Sequence, residues 1–344
     1  MICRAIHSKI RGAASFALFF FLASCLSEAR NADGTLAVIL FPNNGCPAFV
    51  TPHGTLEIVT RDECTLFLVG PKGEQPLSFE QQHRERGNIV YRCLAPDVPE
   101  GMYGLRAEGR SSDTMPRCVI VRKEFPEYYP IAHVAGLAVH RDASVEERNA
   151  ALISKLNESD AAVVFISGVP TGEGSSEEFL RLLTVLEAIN RPTVVIPRSS
   201  GPENEIFSQY FGMYPRAITY GRDAFLLFCP VWNSPLTDYD VQTRELYYLR
   251  RATRAARWSV GIASRYTPSV PLRTQLALFS DDPLDYLLFG YATEAEAPQS
   301  RRVPWETTRL IGTISAAQGK FQIIDVTVSG LLPRPDVTFA PSPP

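Results

Sequence analysis

The chain has 344 residues, a hydrophobic fraction of 45% and a charged fraction of 21%, a composition that excludes an intrinsically disordered protein. This length suffices for two domains with separate cores. The net charge of −3 gives no overall indication of nucleic-acid binding.

The first residues show the pattern of a bacterial export signal. A basic segment precedes the apolar run AASFALFFFLA, which is too short to span a bilayer. Residues 22–25 (LASC) then resemble the bacterial lipobox, whose cysteine is lipidated and becomes the mature N-terminus. We therefore expect a lipoprotein signal peptide over 1–25 and attachment to the membrane through Cys25, on the periplasmic or surface side of a bacterial cell envelope. The alternative is an ordinary signal peptide cut after Ala29, which also exports the protein.

Cysteine usage agrees with export. Four of the seven cysteines fall close together in the chain, at Cys46, Cys64, Cys93 and Cys118. An even set in an exported domain predicts two disulfides, with three possible connectivities. Buried free thiols are the alternative, and a zinc site is less favoured because no Cys-x-x-Cys pair is present. Cys229 stands alone in the apolar run AFLLFC and is expected in a core.

Residues 26–35 are predicted to form a polar tether, and residues 36–124 then show short apolar strands separated by turns. Turn residues recur in PNNG, GPKGEQP and PDVPEG. This spacing predicts an all-β immunoglobulin-like sandwich. The predicted strands are LAVILF, GTLEIVT, CTLFLVG, NIVYRCL, GMYGLRAEG and CVIVR.

From residue 125 to residue 330, apolar strands alternate with helical segments, and a hairpin is predicted with Gly221-Arg222 at its turn. A capping box from Ser144 to Glu147 opens the first predicted helix. The predicted helices cover 144–158, 175–190 and 242–257. The predicted strands are IAHVAGLAV, AAVVFIS, TVVIP, AITYG, DAFLLF, WSVGIA, DYLLFG, TRLIGTIS and KFQIIDVTV. Residues 331–344 are predicted to be an extended, proline-rich tail.

Five segments of this second region occur in an order and spacing that resemble a known family. They are IAHVAGLAVHR, VVFISGVPTGEG, VVIPRSSG, WSVGIASRYTP and LLFGYATEA. Together they resemble the calcineurin-like metallophosphoesterase family over residues 130–330. The resemblance implies an α/β domain of the two-sheet αββα kind, following the β-sandwich. It also implies two metal ions at the strand ends, held in the family by Asp-x-His, Gly-Asp, Asn-His-Asp, a single His and Gly-His-x-His.

The metal-ligand positions implied by this resemblance carry other residue types. They fall on Gly136, Ala138, Val169, Ser199, Ser200, Gly201, Ala263 or Ser264, Tyr291 and Thr293. A two-metal centre needs carboxylate and imidazole ligands, which these side chains do not supply. From residue 130 onward the chain has only His133 and His140, and His133 is expected to be a hydrogen-bonded core residue. We therefore expect no metal cofactor and no catalytic residue in the family's position.

Other residues of this domain are also candidates for chemistry. The carboxylates of Asp142, Glu173, Glu203 and Asp223 are expected on the solvated surface; the alternative is that loops bring them to the same rim. Serines 199, 200 and 264 lack the Gly-x-Ser-x-Gly elbow of a serine hydrolase. The loop PTGEGSS precedes a helix, where backbone N–H groups favour an anion, but it has no P-loop lysine.

A group of arginines is predicted on one face of the helix at 242–257. Arg250, Arg254 and Arg257 are spaced i, i+4 and i+7, with Arg251 beside them. The face is either simply solvated or docks to an anionic partner such as lipid head groups.

The leading hypothesis is an exported, membrane-anchored, non-catalytic binding or scaffold lipoprotein on a metallophosphoesterase-like fold. Its partner would be an unknown protein or another envelope component, with no nucleic acid and no cofactor. One alternative is a metal-dependent phosphoesterase or other hydrolase whose site has moved. Another is a periplasmic carrier of a small ligand, with the emptied cleft lined by Val169, Ser199, Ser200, Tyr291 and Trp258.

Overall fold

The computed structural model describes residues 36–85, 87–169, 175–198, 202–212, 216–228, 239–266, 282–292 and 307–341. Within these ranges the chain is mostly β-strand with few helices. Cys25 and Cys229 lie outside them. None of the helices described is both long and apolar enough to cross a membrane.

The N-terminal part forms two sheets whose inner faces share a core. The strands are β1 (Ile39–Phe41), β2 (Ala48–Val50), β3 (Thr55–Thr60), β4 (Cys64–Gly70), β5 (Gly73–Pro76), β6 (Phe79–Glu85), β7 (Asn88–Leu94), β8 (Gly101–Gly109) and β9 (Ser112–Val121). Their orders are β1-β3-β7-β6 and β2-β9-β8-β4-β5. Leu56 and Ile58 from the first sheet meet Leu105 and Val119 from the second in one hydrophobic cluster. The six strands predicted here are present, and β2, β5 and β6 add to them.

The C-terminal part contains two further sheets. The strands are β10 (Tyr129–Ala135), β11 (Val163–Val169), β12 (Thr193–Pro197), β13 (Arg216–Tyr220), β14 (Asp223–Phe228), β15 (Ser259–Arg265), β16 (Tyr286–Tyr291), β17 (Arg309–Ile314), β18 (Lys320–Thr327), β19 (Gly330–Pro333) and β20 (Val337–Thr338). The helices are α1 (Ala143–Glu158), α2 (Ser176–Ala188), α3 (Pro202–Phe211) and α4 (Tyr239–Ala252). One sheet has the order β12-β11-β10-β18-β19, and the other has the order β13-β14-β15-β16-β17.

The strands run parallel to one another where the site is expected. Strands β10, β11 and β12 pair in parallel, as do β14 to β17. Every residue of β11 is buried, as is typical of a parallel strand covered on both faces. The carboxyl ends of these strands therefore lie along one edge of each sheet.

The two C-terminal sheets share a core, as strand β14 shows. Phe225 and Leu227 belong to the large cluster that also holds residues of the first sheet, and the rings of Phe165 and Phe225 are 4.8 Å apart. The alternate residues of β14, such as Leu226, instead join Leu246 of α4 in a second cluster. Because alternate side chains of a strand point to opposite faces, α4 covers the face of this sheet that is turned away from the first sheet.

Helix boundaries follow the capping groups. The side chain of Asp142 caps α1 by accepting hydrogen bonds from the N–H groups of Ser144 and Val145, so the capping box expected at Ser144 is wrong. A capping box formed by Ser175 and Glu178 opens α2, at the predicted start of the second helix. Helix α4 ends at Ala252, before the predicted end at 257. Helix α3 was not predicted.

The two parts of the chain contact each other directly. Val195 N–H donates to the carbonyl of Gly45 at 2.9 Å, and Phe49 packs edge-on against Tyr220 at 5.4 Å.

The C-terminal segment packs onto the second part of the chain. Strands β19 and β20 pair with β18, and Arg334 Nε donates to Asp325 at 2.9 Å. Residues 331–341 therefore belong to the domain rather than to a separate tail.

Candidate functional site

Residues predicted to share one site meet at the carboxyl ends of the parallel strands. Gly136 N–H donates to the carbonyl of Ser167 at 2.8 Å, and Ser264 Oγ donates to the carbonyl of Arg198 at 2.8 Å. The second bond joins the end of β15 to the residue after β12, so it bridges the two sheets. We call this edge the strand-end cleft, and it is defined by Gly136, Val169, Arg198, Ser264 and Tyr291.

Glycines allow the two sheets to approach so closely at the strand-end cleft. A Cβ atom at Gly290 would lie 2.7 Å from the Cβ atom of Ala135 and 2.9 Å from the carbonyl oxygen of Ser264. Gly168 has φ of +75°, a conformation that favours glycine, and its Cβ atom would lie 3.4 Å from that of Ser264. The cleft floor is therefore built from backbone and very small side chains.

The side chains in this cleft do not fit a two-metal centre. Val169 is 1% exposed and offers no ligand atom, while Ala138 contributes only its carbonyl, which accepts from Asn149 Nδ2 at 3.0 Å. The hydroxyls of Ser264 and Tyr291 are neutral, whereas paired metals are held by carboxylates and imidazoles. Within the described ranges, no three His, Cys, Asp or Glu side chains converge in a way that suits a metal ion. The positions Ser199, Ser200, Gly201 and Thr293 lie outside the described residues.

His133 is a core residue, as predicted. The imidazole is fully buried in β10, with Nδ1 at 2.8 Å from Thr313 Oγ1 and Nε2 at 2.9 Å from Ser167 Oγ. Burial lowers its pKa to about 3, because desolvation disfavours the charged form. Both ring nitrogens are engaged, so this histidine is neutral and is not positioned as a base or as a ligand.

Asp223 is buried, so the expectation of a solvated position is wrong. It is 1% exposed, and its carboxylate accepts from Arg257 Nε at 2.9 Å and Nη2 at 2.6 Å. The hydroxyl of Tyr129 donates to the same carboxylate at 2.7 Å, and burial together with this negative charge raises the pKa of Tyr129. This bidentate pair joins β14 to the segment before β15. Glu173 and the side chain of Glu203 lie outside the described part of the chain.

The predicted arginine face is also wrong. The side chain of Arg250 is 8% exposed and binds Asp282 at 2.7 Å, and that of Arg257 is 11% exposed. Arg251 lies over the ring of Tyr247, and Arg254 is 73% exposed. The face does not form because the helix ends before the last two arginines, and two of the four guanidinium groups pair with carboxylates inside the fold.

The structure contradicts the predicted disulfides. All four cysteines of the N-terminal part are free thiols: Cys46, Cys64, Cys93 and Cys118. Cys93 Sγ donates to the carbonyl of Leu56 at 3.4 Å, and Cys118 Sγ donates to that of Met115 at 3.4 Å. These two cysteines lie on strands of different sheets and each bonds within its own sheet. Burial raises the pKa of Cys93 to about 11, so the alternative of buried thiols fits this part of the chain.

Trp258 does not line the strand-end cleft, contrary to the carrier hypothesis. It precedes β15 and therefore lies at the opposite end of that strand from Ser264. Its indole N–H donates to the carbonyl of Thr327 at 2.7 Å, and its ring is 5.7 Å from that of Tyr286. These contacts give it a structural place between β15 and β18.

Sequence reasoning missed one cavity between the two parts of the chain. It has a volume of about 500 Å³ and is lined by residues that include Arg122, Arg191 and Tyr220. These residues are far apart in sequence and form no motif. Among the sequence predictions, only the hairpin around Gly221 lies near this cavity.

Comparison with known proteins gives weak structural similarity. No sequence family and no curated protein matches the chain. A purple acid phosphatase from yellow lupin (Lupinus luteus) seeds has a TM-score of 0.47 at 9% identity, covering 83% of this chain and 69% of that one. GAP50, the anchor in the inner membrane complex of Plasmodium, has a TM-score of 0.43 at 11% identity, covering 62% of this chain and 85% of that one. At such values neither structure establishes a family or an activity for this protein.

Proposed function

We propose that this protein is an exported, lipid-anchored, non-catalytic binding or scaffold protein. It would consist of an immunoglobulin-like β-sandwich followed by an αββα domain of the metallophosphoesterase kind. The two-sheet core of the N-terminal part supports the first assignment. The core shared by two sheets, with α4 packed on the far face of one of them, supports the second.

The observation that carries the non-catalytic proposal is the residue content of the strand-end cleft. Gly136, Val169 and Ser264 come together where the family resemblance implies metal ligands, and the shared edge is shaped by backbone contact. Glycine, alanine and valine side chains at these positions supply neither a carboxylate nor an imidazole to a metal ion. The described residues of the strand-end cleft have no side chains suited to binding metal ions. This residue content favours a binding surface over metal-assisted hydrolysis.

Hydrolysis assays test this proposal. The purified protein is assayed with p-nitrophenyl phosphate and bis(p-nitrophenyl) phosphate in the presence of manganese, iron or zinc. We expect no turnover above that of the Ser264→Ala variant, which removes a cleft hydroxyl, or of Glu173→Gln, which removes a carboxylate. Metal-dependent turnover that one of these substitutions abolishes would contradict the proposal and favour a hydrolase with a relocated site.

The export and anchoring part rests on the LASC segment that ends at Cys25 and on the apolar run before it. Membrane fractionation of cells that produce Cys25→Ser tests it, with Cys229→Ser as the matched cysteine control. We expect loss of membrane association or of processing only for Cys25→Ser. Equal fractionation and processing of the two variants would reject the lipid anchor.

A further inference from the structure

A partly open cavity of about 500 Å³ lies where the two parts of the chain meet. We call it the junction cavity. Met102 and Arg122 contribute to it from the N-terminal part, and Arg191 and Tyr220 contribute from the C-terminal part. It also touches Pro130, at the amino end of β10. The junction cavity and the strand-end cleft are therefore at opposite ends of the parallel strands, on the order of 20 Å apart for strands of this length.

The wall of the junction cavity contains a buried hydroxyl with no hydrogen-bond partner. Tyr220 is 1% exposed, and its hydroxyl oxygen is buried and unpartnered among the described residues. Its ring is fixed by Phe49, Phe125 and Tyr129 at 5.4, 4.9 and 4.4 Å. Buried hydroxyls are normally hydrogen-bonded, so such an exception points to a missing partner.

Two arginines of the same cavity also have guanidinium N–H groups that form no hydrogen bond with the described residues. Among the described residues, the buried Nε of Arg191 has no partner, and its Nη2 donates only to the backbone carbonyls of Asn157 and Ser159. The side chain of Arg122 forms no hydrogen bond or ion pair with the described residues. Burial raises the pKa of the Tyr220 hydroxyl, and the nearby charges of Arg122 and Glu100 act on it in opposite directions. Both guanidinium groups can therefore accept an additional anionic partner.

The acidic side chains of the cavity are already engaged. Glu100 Oε1 accepts from the N–H of Lys123 at 2.7 Å, and Asp160 is paired with Arg334 at 3.0 Å. The unsatisfied groups of the wall are thus a hydroxyl, which can donate a hydrogen bond, and the N–H groups of two guanidinium cations. A ligand that completes this wall must bring acceptor oxygens and a negative charge.

We propose that the junction cavity binds a small organic oxyanion, a carboxylate or phosphate ester, whose oxygens accept from Tyr220 and Arg122. Arg191 supplies the second positive charge. The volume exceeds what a bare inorganic anion needs, and the apolar side chains of Met102 and Ile120 suit an organic body. Because the walls come from both parts of the chain, the bound molecule fixes their relative position. This inference does not depend on the proposed scaffold function, since it concerns the other end of the strands.

Calorimetric titration of the full-length protein in detergent tests the site. The probes are citrate for carboxylates, glycerol 3-phosphate for phosphate esters, and choline as a cationic control. We expect saturable binding of citrate or glycerol 3-phosphate and none of choline, and the probe that binds identifies the oxyanion class. Tyr220→Phe and Arg122→Gln should each weaken that binding about tenfold or more, because each removes a hydrogen bond to a charged group.

The matched control is Arg110→Gln, which removes an exposed arginine from the turn between β8 and β9. It should leave the affinity unchanged. The Tyr220→Phe variant retains the packed ring. Arg122→Lys is a second variant, which keeps the positive charge and should have an affinity between those of the wild type and Arg122→Gln. Absence of saturable binding by both anionic probes at millimolar concentration would overturn the proposal. Equal affinities in wild type, Tyr220→Phe and Arg122→Gln would overturn it as well.

Discussion

Replacing Arg257 tests whether this arginine stabilises the fold or forms part of a docking surface. The carboxylate that it binds, Asp223, has a side chain that is 0% exposed, so in the intact protein this charge is compensated by side chains and not by bulk water. Among the described residues, Arg257 supplies two of the three side-chain hydrogen bonds to that carboxylate, and Tyr129 supplies the third. Removing one partner of a buried ion pair costs about 3–5 kcal/mol because the remaining charge stays uncompensated. We expect Arg257→Gln to lower the free energy of unfolding by this amount.

Urea unfolding followed by far-ultraviolet circular dichroism measures this loss, with Arg254→Gln as the matched control. The control removes an arginine that is 73% exposed and 3.5 Å from Asp282, and exposed pairs contribute about 1 kcal/mol or less. Adding Asp223→Asn to Arg257→Gln should recover part of the loss, because a neutral amide needs no countercharge. If Arg257→Gln destabilises the protein no more than Arg254→Gln does, the buried pair is not the stabilising contact that we describe.

Three further predictions concern buried groups. Tyr220→Phe should raise the free energy of unfolding of the ligand-free protein by about 1 kcal/mol in urea titrations, because it removes an unsatisfied hydroxyl; a loss of stability would show that the hydroxyl has a partner. His133 has its pKa lowered from 6.5 to about 3, so the unfolded chain takes up the proton first and stability should fall as the pH drops from about 6.5 towards 3. Nuclear magnetic resonance should therefore find its imidazole neutral at pH 5, and a charged ring there would contradict the buried geometry. Iodoacetamide should modify Cys93 and Cys118 without a reductant only after unfolding, since both thiols are buried, burial raises the pKa of each and the thiolate is the reactive form. A mass corresponding to a disulfide would refute the free thiols.

The strands that the sequence predicted are those with a strong apolar pattern. Strand β11 is buried throughout, and its run of apolar residues is visible without a structure. By contrast, β5 reads GEQP and is exposed throughout, so it carries no periodic signal and forms only because it pairs with β4. Local patterning thus identified the strands that build the cores and missed strands whose position depends on a neighbour.

The arginines show a second limit of sequence reasoning. Spacing at i, i+4 and i+7 predicts a common helix face, but it does not reveal a carboxylate that approaches from elsewhere in the chain. Arg250 is paired with Asp282 and Arg257 with Asp223, so tertiary contacts decide which guanidinium groups are exposed. The Tyr220 hydroxyl is a similar case, because its lack of a partner depends on packing between the two parts of the chain.

The strand-end cleft was more predictable. Each of its segments follows an apolar strand, and parallel strands bring their carboxyl ends to one edge. The resemblance of these segments to the metallophosphoesterase motifs, rather than strand order alone, implied that Gly136, Val169, Ser264 and Tyr291 lie near one another. The closeness that the structure adds, with Gly290 against Ala135 and Ser264, could not be read from spacing alone.

Metal content tests the central claim most directly. The protein is produced with manganese, iron and zinc supplied, purified without chelators, and analysed by inductively coupled plasma mass spectrometry. The residues of the strand-end cleft offer no carboxylate or imidazole pair, so we predict well below one equivalent of any metal per chain and an unchanged melting temperature after treatment with a chelator. About two equivalents of bound metal, whose removal lowers the melting temperature, would contradict the account and would mean that other residues had rebuilt the centre.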